Sequence, residues 1–312
     1  MALIALALWL PGNAHAGPTL LFEANTNKVI YAEDPDLLWH PASLTKMMTA
    51  YLTFEAISKG ELSMSDKMTC SANANKQPPS KIGLPVGGTI TVELALKTLI
   101  VKSGNDIAVM LAEHVGGSEQ GFIDQMNLAA KRLGMTRTNF VNPHGLPHKR
   151  QITTARDMAL LARALLKEFP DYSDFFAMRS VRLGKRNLRS HNSLLRNYAG
   201  ADGMKTGFIC DSGYNVVASA TRGDVRLVAV VMGARSGMSR RQRATKLLDH
   251  GFQRYEWKAL FAEELDQFPV QLASLSEGPE SLRSTICGGR RKARKSRKSR
   301  KSRKSRRSRK KR

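Results

Sequence analysis

The sequence predicts an α/β fold in which one antiparallel sheet, flanked by helices, is built from both ends of the chain around an inserted helical region. Two short strand-like runs come first, helical periodicity fills the middle, and strand composition followed by a last helix closes the pattern. Strands from both ends can share one sheet only if the helical block lies outside it. We therefore expect one domain over residues 17–264.

The first elements are two strands and a helix. Thr19–Phe22 and Lys28–Tyr31 have strand composition and flank the turn residues Ala24-Asn25-Thr26-Asn27. Pro41 opens a helix, because Pro is favoured in the first turn and apolar residues then recur at intervals of three and four. Lys76–Gly88 is rich in Pro and Gly and indicates a loop.

The middle of the chain is predicted to be helical and the part after it to be mostly strands. The expected helices are Val92–Val101, Asp106–His114, Gly121–Leu133 and Thr153–Leu166, the last starting with two capping threonines. The expected later elements are the strands Val181–Leu183, Met204–Phe208, Tyr214–Thr221 and Arg226–Met232 and a helix at Gln242–Glu256. Strands thus follow the helices, which completes the α/β pattern.

The ends of the chain differ in composition from a globular domain. Residues 1–16 contain an apolar run too short to span a bilayer and end in the small-x-small pattern Ala14-His15-Ala16, so we expect an export signal. Residues 265–289 lack sustained periodicity and are expected to be a linker. Residues 290–312 repeat Arg-Lys-Ser with 17 basic and no acidic residues, which predicts disorder.

Most of the charge lies in this basic tail. The formal net charge is +24, of which residues 290–312 supply +17 and the rest +7. The tail suits peripheral contact with an anionic membrane or with anionic wall polymer, and a third interpretation is a wrongly assigned end of the reading frame. Nucleic-acid binding is not inferred, because neither a motif nor interleaved aromatic residues accompany the charge.

The cysteines Cys70, Cys210 and Cys287 form no recognisable pattern. Their spacing includes no C-x-x-C, and no H-E-x-x-H occurs, so we expect no metal and no other cofactor. An odd count in an exported protein leaves at least one thiol unpaired within the chain. Cys210 lies close behind a candidate catalytic motif, and we expect it to be a buried small residue.

Three short motifs carry the candidate chemistry: Ser43-Leu44-Thr45-Lys46, Ser103-Gly104-Asn105 and Lys205-Thr206-Gly207. Each is weak alone, but all three in this order behind an export signal indicate a serine acyl-transfer enzyme that uses lysine as its base. Ser43 and Lys46 are three residues apart, so on a helix they share one face. Ser43 is the predicted nucleophile and Lys46 its proton acceptor.

Lys46 can accept a proton only if it is neutral part of the time, although the ordinary pKa of lysine is about 10.4. Burial and a second cation both lower such a pKa, and Lys205 is the natural second cation. We expect Ser103 to relay a proton between Lys46 and the leaving amine. Asn105 is expected to hold the amide of the substrate.

The third motif is predicted to lie in a strand beside the substrate. Lys205 offers a charge and Thr206 a hydroxyl to a substrate carboxylate, and Gly207 lets the substrate backbone approach closely. The backbone N–H groups of Ser43 and Phe208 are expected to form an oxyanion hole.

At these residues the sequence resembles the low-molecular-mass penicillin-binding proteins, specifically the serine-type D-alanyl-D-alanine carboxypeptidases of peptidase family S11. The resemblance covers about residues 18–262. The similar stretches are Pro41–Ala50, Lys102–Asp106, Phe140–Leu146, Thr154–Ala159, His191–Leu195 and Asp202–Gly207. It implies the fold shared by β-lactamases and penicillin-binding transpeptidases, with a five-stranded antiparallel sheet.

The resemblance also implies a function. A peptidoglycan stem peptide would acylate Ser43 and lose its terminal D-alanine, water would hydrolyse the acyl-enzyme, and β-lactams would acylate the same serine. The implied location is the periplasm, and peripheral attachment to the inner membrane through the basic tail stays one of the open alternatives. Arg240 resembles the arginine that helps to hold the terminal carboxylate, although Arg235 and Arg241 lie close to it in the sequence.

Three alternatives stay open on the sequence alone. A β-lactamase shares the motifs but needs a carboxylate positioned on water, and no convincing Glu-x-x-Asn loop precedes Lys205. A D,D-endopeptidase would use the same chemistry on cross-linked peptides. In the third alternative, the basic tail makes the protein a wall- or membrane-binding module; it stands where better-known family members carry a β-domain and an amphipathic helix.

Overall fold

The computed structural model describes residues 17–270 and 278–288, which have the expected α/β architecture. In chain order the described strands are β1 (Thr19–Glu23), β2 (Val29–Glu33), β3 (Lys67–Thr69), β4 (Thr89–Thr91), β5 (Ser180–Leu183), β6 (Arg186–Arg189), β7 (Ala201–Ile209), β8 (Gly213–Arg222) and β9 (Val225–Ala234). The main sheet is antiparallel and has the order β2-β1-β9-β8-β7. Strands β3 and β4 form one separate hairpin, and β5 and β6 another.

Helices cover both faces of this sheet. They are α1 (Lys46–Ser58), α2 (Ala72–Asn75), α3 (Val92–Val101), α4 (Asn105–Gly116), α5 (Glu119–Arg132), α6 (Ala155–Glu168), α7 (Ser173–Ala177), α8 (Leu194–Asn197) and α9 (Gly237–Ala259). Thr154 caps α6, because its hydroxyl accepts a hydrogen bond from the N–H of Asp157 at 3.0 Å. The predicted helix Val92–Val101 has the same bounds as α3.

Strand β1 joins the two ends of the chain. Thr19 lies opposite Val231 of β9, as the prediction of a sheet built from both ends requires. Successive side chains of a strand point to opposite faces. Leu20 and Phe22 therefore enter the core shared with the inserted helices, whereas Leu21 enters a second core that includes Leu248 of α9.

The structure corrects two local expectations. The helix expected from Pro41 begins as a 3-10 turn, Ala42–Thr45, and becomes α-helical only at Lys46. The expected strand Val181–Leu183 exists as part of β5, but it pairs with β6 in a hairpin outside the main sheet. Strand composition predicts extended backbone and does not identify the pairing partner, which depends on tertiary contacts.

The segment expected to be a linker packs partly against the domain. Leu265 is buried, and the guanidinium group of Arg156 donates hydrogen bonds to the carbonyl groups of Phe268 and Pro269. Residues 283–288 form one helical segment. The domain boundary at residue 264 stays a prediction.

Cys210 forms a disulfide with Cys287, so the expectation that Cys210 is a buried small residue is wrong. The two cysteines are 77 residues apart in sequence, and folding brings their Cα atoms to 5.8 Å. Cys70 is free and buried. The sequence did not predict this disulfide, because no local spacing pattern links two cysteines so far apart in the chain.

The expected export signal in residues 1–16 and the expected basic tail in residues 290–312 lie outside the described residues. Among residues 17–270 and 278–288, no helix has the length and apolar character needed to cross a membrane.

Candidate active site

Ser43 lies in the 3-10 turn that runs directly into α1. In a 3-10 helix, side chains three residues apart lie one above the other. Lys46 therefore reaches back to Ser43, and its Nζ donates a hydrogen bond to Ser43 Oγ at 3.1 Å. Gly145 packs closely against this turn, because a Cβ atom there would lie 1.8 Å from the carbonyl oxygen of Ala42.

Lys46 is fully buried, and its amine contacts neutral acceptors. Besides Ser43 Oγ, Nζ donates to Asn105 Oδ1 at 2.8 Å and to the carbonyl oxygen of His144 at 2.6 Å. Burial, followed by the charge of Lys205, lowers the pKa of Lys46 well below its ordinary value, and Asp106 opposes this shift. The surroundings therefore favour the neutral amine.

The hydrogen bonds of Lys46 also orient that neutral amine. The Asn105 Oδ1 atom and the His144 carbonyl can only accept, so they take the two N–H bonds that a neutral amine keeps. In the neutral amine the lone pair replaces the third N–H, so Nζ can accept a hydrogen bond from the Ser43 hydroxyl instead of donating to it. This arrangement is the one that a proton acceptor for Ser43 needs.

Ser103 and Lys205 meet on the opposite side of the site. Ser103 lies between α3 and α4 with a positive φ of 63°, and the Nζ of Lys205 in β7 donates to its Oγ at 2.9 Å. Nζ also donates to the carbonyl oxygen of Thr206 at 3.0 Å. Burial, followed by the charge of Arg240, lowers the pKa of Lys205 to about 7. Near neutral pH, the Lys205 amine can therefore exist in both its charged and its neutral form.

All three motifs border one cavity of about 370 Å³. Its lining residues are Ser43, Pro79, Ser80, Ser103, Asn105, His144, Gly145, Leu146, His191, Thr206, Gly207, Phe208, Ile209, Tyr214 and Arg240. Lys46 and Lys205 lie behind this lining, and each hydrogen-bonds a serine hydroxyl that borders the cavity. The oxyanion hole expected at Ser43 and Phe208 stays a prediction.

Arg240, in the first turns of α9, is the arginine of its segment that borders the cavity. Its guanidinium group donates to the carbonyl oxygens of His191 at 3.2 Å and Asn215 at 3.5 Å, and lies 6.0 Å from the centre of the Tyr214 ring. Burial lowers the pKa of Arg240 to about 10. The neighbouring Arg235 is exposed and does not border the cavity.

Gly207 has a role within the fold that the sequence did not reveal. A Cβ atom at this position would lie 2.9 Å from the carbonyl oxygen of Pro41 and 3.0 Å from the backbone nitrogen of Ser43. The missing side chain therefore lets β7 pack directly against the turn that carries Ser43. The expected close approach of a substrate to Gly207 stays a prediction.

Asn105 and Asp106 hold the loop before β4 in place. Asn105 donates from Nδ2 to the carbonyl oxygen of Pro78 at 2.8 Å, while its Oδ1 accepts from Lys46. The buried Asp106 carboxylate accepts hydrogen bonds from the N–H groups of Ile82 and Gly83. The amide of Asn105, expected to hold substrate, is thus also engaged with the protein on both of its atoms.

Sequence reasoning missed two histidines of the site. His144 accepts the Lys46 hydrogen bond through its backbone carbonyl, and because every residue has such a group, the residue type does not predict this contact. Burial lowers the pKa of the His144 ring to about 3. His191 borders the cavity, and burial and then Lys205 lower its pKa to about 4. Both rings are therefore neutral at neutral pH. The only sequence signal at these two histidines is that the stretches around them resemble a known family.

The sequence and the fold have counterparts in known proteins. A family profile described as D-alanyl-D-alanine carboxypeptidase, peptidase S11, matches residues 8–236. The chain belongs to this D-alanyl-D-alanine carboxypeptidase family. The resemblance stated from the sequence is confirmed.

Relatives within the family include the D-alanyl-D-alanine carboxypeptidase DacF of Bacillus subtilis, 39% identical over 79% of this chain and 64% of its own length. The carboxypeptidase DacC of Escherichia coli is 37% identical over 76% of this chain and 61% of its own length. The chain thus spans less than two-thirds of the length of these curated carboxypeptidases.

Solved structures of penicillin-binding proteins share the fold. Penicillin binding protein 5 of Haemophilus influenzae is 35% identical with a TM-score of 0.74. The match covers 78% of this chain and 72% of the Haemophilus chain. Penicillin-binding protein D2 of Listeria monocytogenes, solved in an ampicillin-bound form, is 30% identical with a TM-score of 0.67. The match covers 76% of this chain and 97% of the Listeria chain. The predicted fold class is therefore confirmed.

Proposed function

We propose that this chain is a serine-type D-Ala-D-Ala carboxypeptidase that removes the terminal D-alanine from peptidoglycan stem peptides during cell-wall synthesis and remodelling. The supporting observation is the buried Lys46 amine, hydrogen-bonded to Ser43 Oγ at 3.1 Å on the wall of the cavity. Family membership supports the same substrate, because the relatives are named D-alanyl-D-alanine carboxypeptidases.

In the acylation step, Lys46 takes the hydroxyl proton of Ser43 as Oγ attacks the carbonyl carbon of the penultimate D-alanine. The carbonyl oxygen becomes an oxyanion that accepts from the backbone N–H groups of Ser43 and Phe208. The C–N bond then breaks, and the leaving amine needs one proton. Ser103 Oγ supplies it and is reprotonated by Lys205, which donates to it at 2.9 Å. Acylation thus leaves Lys46 protonated and Lys205 neutral. When water hydrolyses the acyl ester, its proton passes through Ser103 to Lys205, and Lys46 returns its proton to Ser43 Oγ, which restores both amines.

The terminal carboxylate is assigned to the basic end of the cavity. Thr206 offers its hydroxyl there, and Lys205 and Arg240 supply positive charge. Arg240 suits this role because its guanidinium is partly buried and forms no ion pair with another described residue. A carboxylate bound between these groups would place the preceding peptide bond near Ser43.

The decisive experiment combines a covalent label with product analysis. Mass spectrometry after benzylpenicillin treatment is expected to show one adduct on Ser43, absent from the Ser43→Ala variant. Release of D-alanine from a peptide ending in D-Ala-D-Ala is expected from the wild type only. Labelling without D-alanine release would contradict carboxypeptidase activity, and rapid repeated hydrolysis of nitrocefin would indicate a β-lactamase instead.

We also assign the protein to the periplasm, where its substrate lies, with the basic tail touching the inner membrane or wall polymer. The disulfide between Cys210 and Cys287 supports an oxidising compartment, because such bonds are rare where thiols are kept reduced. A mass spectrum of the exported protein would test the cleavage after Ala16. A mature N-terminus at residue 1 would contradict this assignment.

A further inference from the structure

A second and larger cavity adjoins the candidate active site. Its volume is about 850 Å³, and Ile209 borders both cavities. One wall is the loop that contains His148, Lys149 and Arg150. The opposite wall includes Gly278, Pro279, Ser281 and Arg283, whereas Glu280 of the same segment does not border the cavity. Nothing in the chemistry proposed above uses this space.

The wall formed by residues 278–283 is fixed to the end of β7. The N–H of Leu282 donates to the carbonyl oxygen of Asp211 at 2.8 Å, and Arg283 donates to its carboxylate at 2.5 Å from Nη2 and 3.0 Å from Nε. The disulfide between Cys210 and Cys287 holds the same two segments together. This wall is therefore part of the folded domain.

The charges around the cavity do not cancel. Arg283 and Asp211 neutralise one another, and Arg283 is the main reason why the pKa of Asp211 is lowered. Lys149 and Arg150 are exposed, and neither forms an ion pair with another described residue. The space thus carries two available cations.

Strand β7 leads from the first cavity into the second. It is an edge strand, and its residues Thr206 to Ile209 border the first cavity, while Ile209 and Asp211 border the second. An extended peptide can lie along such an edge. Strand β7 ends at Ile209, about 7 Å from Gly207 at about 3.3 Å per residue, so a peptide that lies along it needs three or four residues to pass the end of the strand and enter the second cavity.

We propose that the second cavity binds a side-chain carboxylate of the peptide substrate, three or four residues before the scissile bond, through Lys149 and Arg150. This inference rests on the proposed function, which places the terminal carboxylate near Lys205. The remaining peptide then runs along β7 towards Ile209 and reaches the two cations.

The test compares two synthetic peptides that end in D-Ala-D-Ala and differ only in one upstream side chain, a carboxylate in one and its carboxamide in the other. Wild-type protein is expected to prefer the carboxylate peptide by about tenfold in kcat/KM, an effect of KM that disappears at high salt. The double variant Lys149→Gln/Arg150→Gln is expected to lose this preference and to process the carboxamide peptide as the wild type does. Both positions are exposed, so folding is preserved.

The matched control is Lys67→Gln/Lys131→Gln, which removes the same net charge from exposed positions on β3 and α5. It is expected to keep the wild-type preference. Equal use of both peptides by the wild type, or an equal loss in the control, would overturn the inference. So would a double variant that loses only the binding of a soluble polyanion such as poly(glycerol phosphate).

Failure of the proposed function would look different. In that case neither peptide would release D-alanine, while benzylpenicillin would still label Ser43. The two peptides can then be ranked by how strongly each slows that labelling. A stronger effect of the carboxylate peptide, lost in Lys149→Gln/Arg150→Gln, would support the second cavity by itself, and equal effects would exclude it.

Discussion

At the residue scale, the candidate site depends on two buried amines, neither of which contacts a carboxylate among the described residues. Lys46 bonds to a hydroxyl, an amide and a carbonyl oxygen, and Lys205 to a hydroxyl and a carbonyl oxygen. A buried amine with neutral partners loses its proton more easily than one in water. The same contacts that position these amines therefore also prepare them for proton transfer.

Replacement of Lys46 tests its role as the proton acceptor. The Lys46→Ala variant is expected to be acylated by benzylpenicillin about 100- to 10,000-fold more slowly, the usual range for loss of a positioned base. Stopped-flow labelling measures the rate, and far-UV circular dichroism checks that the variant is folded. Lys46→Arg, which keeps a permanent positive charge, should be equally slow. Acylation of either variant at the wild-type rate would exclude Lys46 as the base.

The lowered pKa of Lys205 predicts how stability depends on pH. Its pKa is about 7 in the folded protein and ordinary in the unfolded chain, so between these values the unfolded state binds more protons. The contribution of Lys205 to the free energy of unfolding therefore rises from about pH 7 towards pH 10.

Urea unfolding of the wild type and of Lys205→Met measures this contribution. The difference between the two free energies of unfolding is expected to shift in favour of the wild type as the pH increases. The comparison cancels the other titrating groups, apart from Lys46 and His191, whose pKa values Lys205 also lowers. Lys46 acts in the same direction, and His191 titrates below this pH range. A difference that does not change with pH would show that Lys205 keeps an ordinary pKa.

At the element scale, the site is assembled where β7 packs against the turn before α1. Neither element contains the whole site: the turn carries Ser43, and β7 carries Lys205. Their close contact depends on Gly207, where a side chain would collide with the backbone of Pro41 and Ser43. The geometry of the nucleophile is therefore set by the packing between the two elements.

Gly207→Ala is expected to separate β7 from the turn. We expect a loss of about 1–3 kcal/mol in the free energy of unfolding, typical of overpacking, together with slower acylation of Ser43. Thermal unfolding and penicillin labelling measure the two effects. Gly237→Ala is the control, because a Cβ atom there would meet only the Tyr214 ring, at 4.0 Å. Normal labelling of Gly207→Ala would show that this packing does not position the nucleophile.

Elements were easier to predict than their contacts. Helix α3 and the strands of the main sheet follow from periodicity and composition, which are local properties of the chain. The carbonyl of His144 and the pairing of Cys210 with Cys287 were missed, because both depend on segments distant in sequence. The three motifs were found since each is short and contiguous, whereas the second cavity has no sequence signal.

At the scale of the whole molecule, the candidate site lies within the described residues, and the strongest charge lies in the tail outside them. That tail holds +17 of the formal net charge of +24. Each basic residue near an anionic membrane adds about 1 kcal/mol of attraction, and salt weakens it. Binding to surfaces and chemistry at Ser43 should therefore be separable.

Truncation after Gly289 tests this separation and retains Cys287 for the disulfide. The truncated protein is expected to lose sedimentation with vesicles that contain anionic lipid, while the rate of Ser43 labelling by benzylpenicillin stays within about twofold of the full chain. Binding of the full chain should fall at high salt. If labelling fails after truncation, the tail takes part in the chemistry and the two functions are not separate.

The pairing of β1 with β9 also determines when the protein can first react during its own synthesis. Thr19 finds its partner Val231 only after more than two hundred further residues have been added. Lys205, too, comes from that late part of the chain. A growing polypeptide that already contains Ser43 is consequently expected to be inert. A radioactive or fluorescent penicillin is then expected to label only molecules in which the last strands have joined the sheet.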